Sequence, residues 1–166
     1  MNKVGIILGS KSDVEIAKKA IEILKSFSVD YDFIISSAHR SPERTINWTI
    51  NAEKNNINVI IAIAGAAAHL AGVVAAHTIL PVIAVPVAST TLGGFDALLS
   101  SVQMPAGVPV ATMAIGSAGA VNAAILAIQI LSLTDADLRE KIIAYKNNLS
   151  LKVEKDHCDI LKDLHI

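Results

Sequence analysis

Val4-Gly5-Ile6-Ile7-Leu8-Gly9-Ser10-Lys11-Ser12-Asp13 decides the fold. Its first five residues form a short continuous apolar run, the pattern of a parallel strand covered on both faces. Residues 9–13 then turn the chain. Asp13 stands as a good N-cap before a segment with apolar residues at Ala17, Ala20, Ile21, Leu24 and Phe27, a spacing that lines one helical face. Strand, polar turn and amphipathic helix make one α/β unit.

The unit then repeats. Residues 31–35 read as a second strand, followed by the loop Ser36-Ser37-Ala38-His39-Arg40-Ser41-Pro42 and a helix over about 42–55, with Ser41 as N-cap and Pro42 as first helical residue. Residues 58–63 form a third strand, 65–68 a turn and 70–78 a short helix. A fourth strand spans 81–87, a glycine-bearing segment leads to a short helix near 97–102, and 108–113 is the fifth strand. Each crossover contains a helix, so the expected architecture is a three-layer α/β/α stack around a five-stranded parallel sheet with right-handed connections.

Length and charge narrow the class. With 166 residues the chain fits a single domain over 1–166, of which about 134–166 is a C-terminal helix and tail. The formal charge is -1, without a basic cluster to track a phosphate backbone, so no nucleic-acid partner is expected. Cys158 is the only cysteine and reads as a bystander thiol, and the start runs into a strand without a signal-peptide pattern, so the expected location is cytoplasmic. Mean hydropathy is +0.52, and residues 59–76 are interrupted by one ionisable side chain, His69. Alone, that stretch has the length of a membrane span. The β-branched run Val59-Ile60-Ile61, the break at Gly65, and Pro81 and Pro86 beyond argue instead for a buried strand, and no membrane association is expected.

Residues 116–131 predict a helix that is apolar almost all round, with only Asn122 and Gln129 interrupting. Such a helix is buried on every side, and one small domain does not easily wrap it. Other copies of the chain covering it, in a homo-oligomer, is one reading; an unusually apolar core helix is the other. Thr134-Asp135-Ala136-Asp137 then caps a last helix with Leu138, Ile142, Tyr145 and Leu149 on one face, and the pattern weakens from Leu151 onward.

Chemistry gathers where strands end. Ser10, Ser12 and Asp13 offer hydroxyls and a carboxylate at a helix start, suited to phosphate or, equally, to plain capping. The turn lacks the glycine pattern of a dinucleotide or Walker A loop, so neither ATP nor NAD is indicated as cofactor. His39 can give and take a proton near neutral pH, and Arg40 can hold a phosphate or carboxylate; the bland alternative is a solvated His-Arg pair. Their place at the carboxyl end of a strand favours a site. His69 is a second candidate, whereas His77, two helical turns away, reads as a satisfied core histidine; the separation is too long for the two to share a metal, and none is expected. No Gly-x-Ser-x-Gly and no Ser-His-Asp order is evident, so covalent catalysis is not indicated.

Five motifs taken together resemble one family. Gly9-Ser10-Lys11-Ser12-Asp13, Ser37-Ala38-His39-Arg40-Ser41-Pro42, Ala67-Ala68-His69-Leu70, Leu98-Leu99-Ser100 with Val102-Gln103-Met104-Pro105, and the segment from Ala114-Ile115-Gly116 are similar, in order and spacing, to the N5-carboxyaminoimidazole ribonucleotide mutase family, PurE. The match runs from about Val4 to Leu133. The resemblance implies a flavodoxin-like sheet, a small ribonucleotide substrate, a homo-octamer, no cofactor, and a step of purine biosynthesis that moves a carboxylate from an exocyclic nitrogen to ring carbon C4. It also implies that Ser10, Asp13, Ser37 and Arg40 hold the 5′-phosphate and ribose, and that His39 is the catalytic acid and base. Gly65, Ala66 and His69 join them as substrate-binding residues; a closed CO2 pocket suits the apolar Gly65 to Ala68 backbone and dry oligomeric surroundings, and burial would bias His39 toward its neutral form.

Two other readings stay open: a flavodoxin-like module that binds a nucleotide without turnover, and a direct carboxylase of the same fold family, which typically carries lysine after the motif histidine and lacks the later one. Arg40 and His69 favour the mutase. The family's usual Gly-Gly-Ala-Ala-His-Leu-Pro-Gly stands here as Gly65-Ala66-Ala67-Ala68-His69-Leu70-Ala71-Gly72, and Ile63 replaces a usual glycine. Ala66 restricts a backbone that glycine leaves free, which predicts an altered pocket wall rather than lost activity.

Overall fold

In the computed structural model, which describes residues 2–164, β1 (Lys3–Leu8), β2 (Asp30–Ile35), β3 (Ile57–Gly65), β4 (Val82–Val87) and β5 (Ala111–Thr112) form one parallel sheet in the order β2-β1-β3-β4-β5. This is the flavodoxin-like order. The chain reverses its direction across the sheet between β1 and β3, which opens a crevice above their carboxyl ends.

Alternation along the strands explains the three layers. Ile6, Leu8, Val59, Ile61 and Ile63 face α1 (Val14–Ser26) and α5 (Ser117–Leu131), while Ile7, Ile60 and Ala62 face α3 (Leu70–Ala75) on the other side, next to α2 (Pro42–Asn51). All these strand side chains are buried. Each large one removed from water contributes roughly 1.5–3 kcal/mol. Gly5 matters to the α2 side because a Cβ there would sit 2.8 Å from the Trp48 ring and crowd Ile57. α4 (Phe95–Val102) packs against β4 and β5.

Several expectations change. The third strand runs to Gly65, so that glycine ends a strand rather than opening the turn. The second helix stops at Asn51, before a 3-10 turn over Glu53–Asn55 and a left-handed Asn56. The fifth strand shrinks to two residues, because Pro109 has no N–H to give the ladder and Gly107 turns the chain at φ 97. Within a single chain, helix α5 buries one face, through Ala120, Ala123, Ala124, Ala127 and Ile128, and leaves Ile125, Leu126 and Ile130 half-exposed.

The tail is not a separate weak segment: α6 (Ala136–Asp163) is one helix of 28 residues. Asp135 caps it by accepting the Leu138 N–H at 3.0 Å, and no glycine or proline follows to break it. Leu138 and Ile142 are buried and Tyr145 meets Phe27 edge to face, whereas nearly every residue after Tyr145 is exposed. Residues 165–166 of the expected tail lie outside the described residues. His77 is exposed, with its Nδ1 at 2.8 Å from the Val73 carbonyl, and so is not a core histidine. Among the described residues no helix is long and apolar enough to cross a membrane.

Candidate active site

Three loops meet at the crevice. The first follows β1, where extended Ser10 caps a 3-10 turn over Lys11–Asp13 by accepting the Ser12 N–H. Asp13 sits at the start of α1 but makes no capping bond, contrary to its expected role. Its carboxylate instead accepts from the Ser12 hydroxyl at 3.2 Å, and the residue is only 3% exposed. Burial pushes this carboxyl above the usual aspartate range, although the Ser12 hydroxyl and the Ser10 backbone pull it back.

The second loop follows β2 and is fastened by hydroxyls. Buried Ser36 bonds Thr45 at 2.8 Å, and Ser41 accepts the Ser37 N–H at 3.0 Å while donating to the Ser37 carbonyl at 3.1 Å. Ser41 thus holds the loop, not the helix end, for it makes no capping bond to α2. The Ser37 hydroxyl accepts from the Arg40 backbone at 3.2 Å and from Arg40 Nε at 3.4 Å. Arg40 Nη2 also donates to the Gly9 carbonyl at 3.2 Å, which ties this loop to the first.

The third follows β3. Ala66 adopts a left-handed φ of 53, the conformation that its side chain resists, and the chain then tightens through bonds from Ala68 to Ala66 and from His69 to Ala67. His69 directly precedes α3, and its Nδ1 lies 3.0 Å from His39 Nε2.

Together the loops enclose a cavity of about 350 Å³. Ser10, Ser12, Asp13, Ser37, His39, Arg40, Gly65 and Ala66 all line it, and His69 supports it through His39. Its apolar wall comes from Ala38, Ala64, Ala67 and Leu70. The cavity is open in a single chain, and His39 and Arg40 are exposed, so the expected burial of His39 does not arise within one copy. Sequence reasoning passed over Ser89, which lines the cavity from the end of β4. Its place directly after a strand, like that of the other loops, was the available signal.

A model of the AIR carboxylase family matches residues 3–152. The chain belongs to the AIR carboxylase family. Family relatives include the N5-carboxyaminoimidazole ribonucleotide mutases of Saccharolobus solfataricus, 54% identical over 90% of this chain and 93% of that protein, and of Bacillus subtilis, 54% identical over 87% and 90%. The Pyrococcus abyssi protein of the same name is 52% identical, over 90% of this chain and 84% of its own. The solved structure of Treponema denticola PurE superimposes with a TM-score of 0.87 at 31% identity, covering 96% of this chain and 98% of that one. The family fold therefore extends along most of α6.

Proposed function

We propose that this chain is an N5-carboxyaminoimidazole ribonucleotide mutase, an isomerase of purine biosynthesis that moves the carboxylate from the exocyclic nitrogen to C4 of the imidazole. One observation carries the reading beyond likeness: His39 lines a cavity whose other polar groups suit a ribose phosphate, with an apolar wall beside it. Arg40 supplies the fixed positive charge for the phosphate, Ser10 and Ser37 supply hydroxyls, and the Asp13 carboxylate accepts from ribose hydroxyls.

The reaction asks for one proton in each direction. Loss of CO2 from the exocyclic nitrogen needs a proton delivered to that nitrogen, which His39 gives as general acid. The C–N bond breaks and leaves CO2 beside the neutral aminoimidazole ribonucleotide. C4 then attacks CO2, and His39, now a base, removes the C4 proton to restore the aromatic ring. Protons balance over the cycle, and no cofactor is consumed. CO2 must not escape between the halves, and the apolar wall of Ala64, Ala66, Ala67 and Leu70 gives it a weakly competing surface.

In this reading the enzyme works in the cytoplasm as a homo-octamer. The open cavity and the exposed Phe95, Leu99 and Leu149 support further copies covering these surfaces. The test is an assay without metal or ATP, with N5-carboxyaminoimidazole ribonucleotide in one tube and the uncarboxylated ribonucleotide plus bicarbonate in another. C4-carboxylated product mainly from the first is expected. Efficient product only from the second would make the chain a direct carboxylase, and none from either a binding module.

A further inference from the structure

We propose that the Ser89 hydroxyl holds the carboxylate at the imidazole end of the substrate, opposite the phosphate end of the cavity. The inference rests on the ribonucleotide reading above and assigns a group that reading leaves out.

Ser89 is singled out first by what its hydroxyl does not do. The Ser10 hydroxyl accepts from Ser12, the Ser12 hydroxyl donates to Asp13, and the Ser37 hydroxyl accepts from Arg40. Among the described residues Ser89 is the cavity serine whose hydroxyl has no protein partner. Its hydroxyl is therefore the one with both its proton and its lone pairs uncommitted to the protein.

Backbone geometry puts that hydroxyl in place. Val87 ends β4 opposite Gly65 at the end of β3, and the Ser89 N–H folds back to the Val87 carbonyl at 3.0 Å. This tight turn lays the Ser89 side chain against Gly65. A Cβ on Gly65 would collide with the Ser89 Oγ and lie 3.1 Å from the Val87 carbonyl. The missing side chain at 65 is thus the space that the serine occupies.

Its distance from the phosphate groups sets what it meets. Ser10 follows β1 and Ser89 follows β4, two strand spacings away across β3, or roughly 10 Å. A ribose phosphate bearing a five-membered ring is about that long, so a phosphate held by Ser10 and Arg40 points its ring substituents toward Ser89. A hydroxyl there donates to a carboxylate oxygen and brings no charge to compete with His39 for the proton.

The test measures kcat/KM for N5-carboxyaminoimidazole ribonucleotide, and inhibition by ribose 5-phosphate as a probe of the phosphate end, on wild type, Ser89→Ala and the similarly sized Ser89→Cys. Both variants should lose about tenfold in kcat/KM, the worth of one charge-assisted hydrogen bond, while the inhibition constant of ribose 5-phosphate stays within about twofold. Unchanged kcat/KM in both variants would overturn the assignment, and so would parallel weakening of ribose 5-phosphate. Wild type that binds ribose 5-phosphate but turns nothing over would overturn the functional reading itself, a result the same samples distinguish.

Discussion

His39 and His69 meet ring to ring: Nε2 of one lies 3.0 Å from Nδ1 of the other, with the planes 89° apart. One ring must donate and the other accept, so the neutral pair shares a single proton, and protonating both nitrogens breaks the bond. In the mechanism proposed above, His69 then fixes the orientation and tautomer of the ring that exchanges protons with substrate. His69→Leu should lower kcat by about tenfold or more with a smaller effect on KM, and should displace the pH-rate profile. His69→Asn, whose amide reaches the position of Nδ1, should restore part of both. Identical profiles for wild type and the leucine variant would leave His69 without this role.

Burial makes the charged Asp13 carboxylate a cost to stability. Because its folded carboxyl titrates above the ordinary range, the folded state holds the proton more tightly than the unfolded chain. Stability from this group is present at low pH and falls as pH rises through that window. Asp13→Asn should therefore be as stable as wild type or more so at pH 7, with the difference closing in acid, while ribose 5-phosphate and substrate bind more weakly. Denaturant unfolding at both pH values, beside an inhibition assay, checks both halves.

Ala66 carries strain that glycine would release. A left-handed alanine costs about 1–2 kcal/mol, against roughly 0.4–1 kcal/mol that glycine loses through its freer unfolded chain. Ala66→Gly should raise Tm by about 1–4 °C and change turnover measurably, since it removes a methyl from the cavity wall. A lower Tm would mean that the methyl packs better than the backbone suffers.

Arg40 reaches two loops at once, through Ser37 and the Gly9 carbonyl. Lysine keeps the charge but not the planar fork. Arg40→Lys should weaken ribose 5-phosphate inhibition by about tenfold and leave kcat at saturating substrate nearly intact, which steady-state kinetics would show.

Periodicity made the layers legible. The run from Val4 to Leu8 and the β-branched start of β3 read as strands buried on both faces, and the loops after β1 and β2 follow from where those strands end, whereas β3 extends through Gly65. What stayed hidden depends on tertiary bonds or on solvent. Asp13 and Ser41 have capping residue types, yet their side chains are drawn to the cavity and to Ser37. His77 lies in an apolar segment but on its outer side. The bond from His39 to His69 spans 30 residues, and the contact of Ser89 with Gly65 exists only once β4 is laid beside β3.

The measurement that bears most directly on the account is turnover and binding by His39→Asn. If His39 carries the proton between nitrogen and C4, kcat should fall by about 10²-fold or more while ribose 5-phosphate and the carboxylated nucleotide still bind. Turnover within a few-fold of wild type, with binding unchanged, would place the proton exchange on another group and contradict the mechanism.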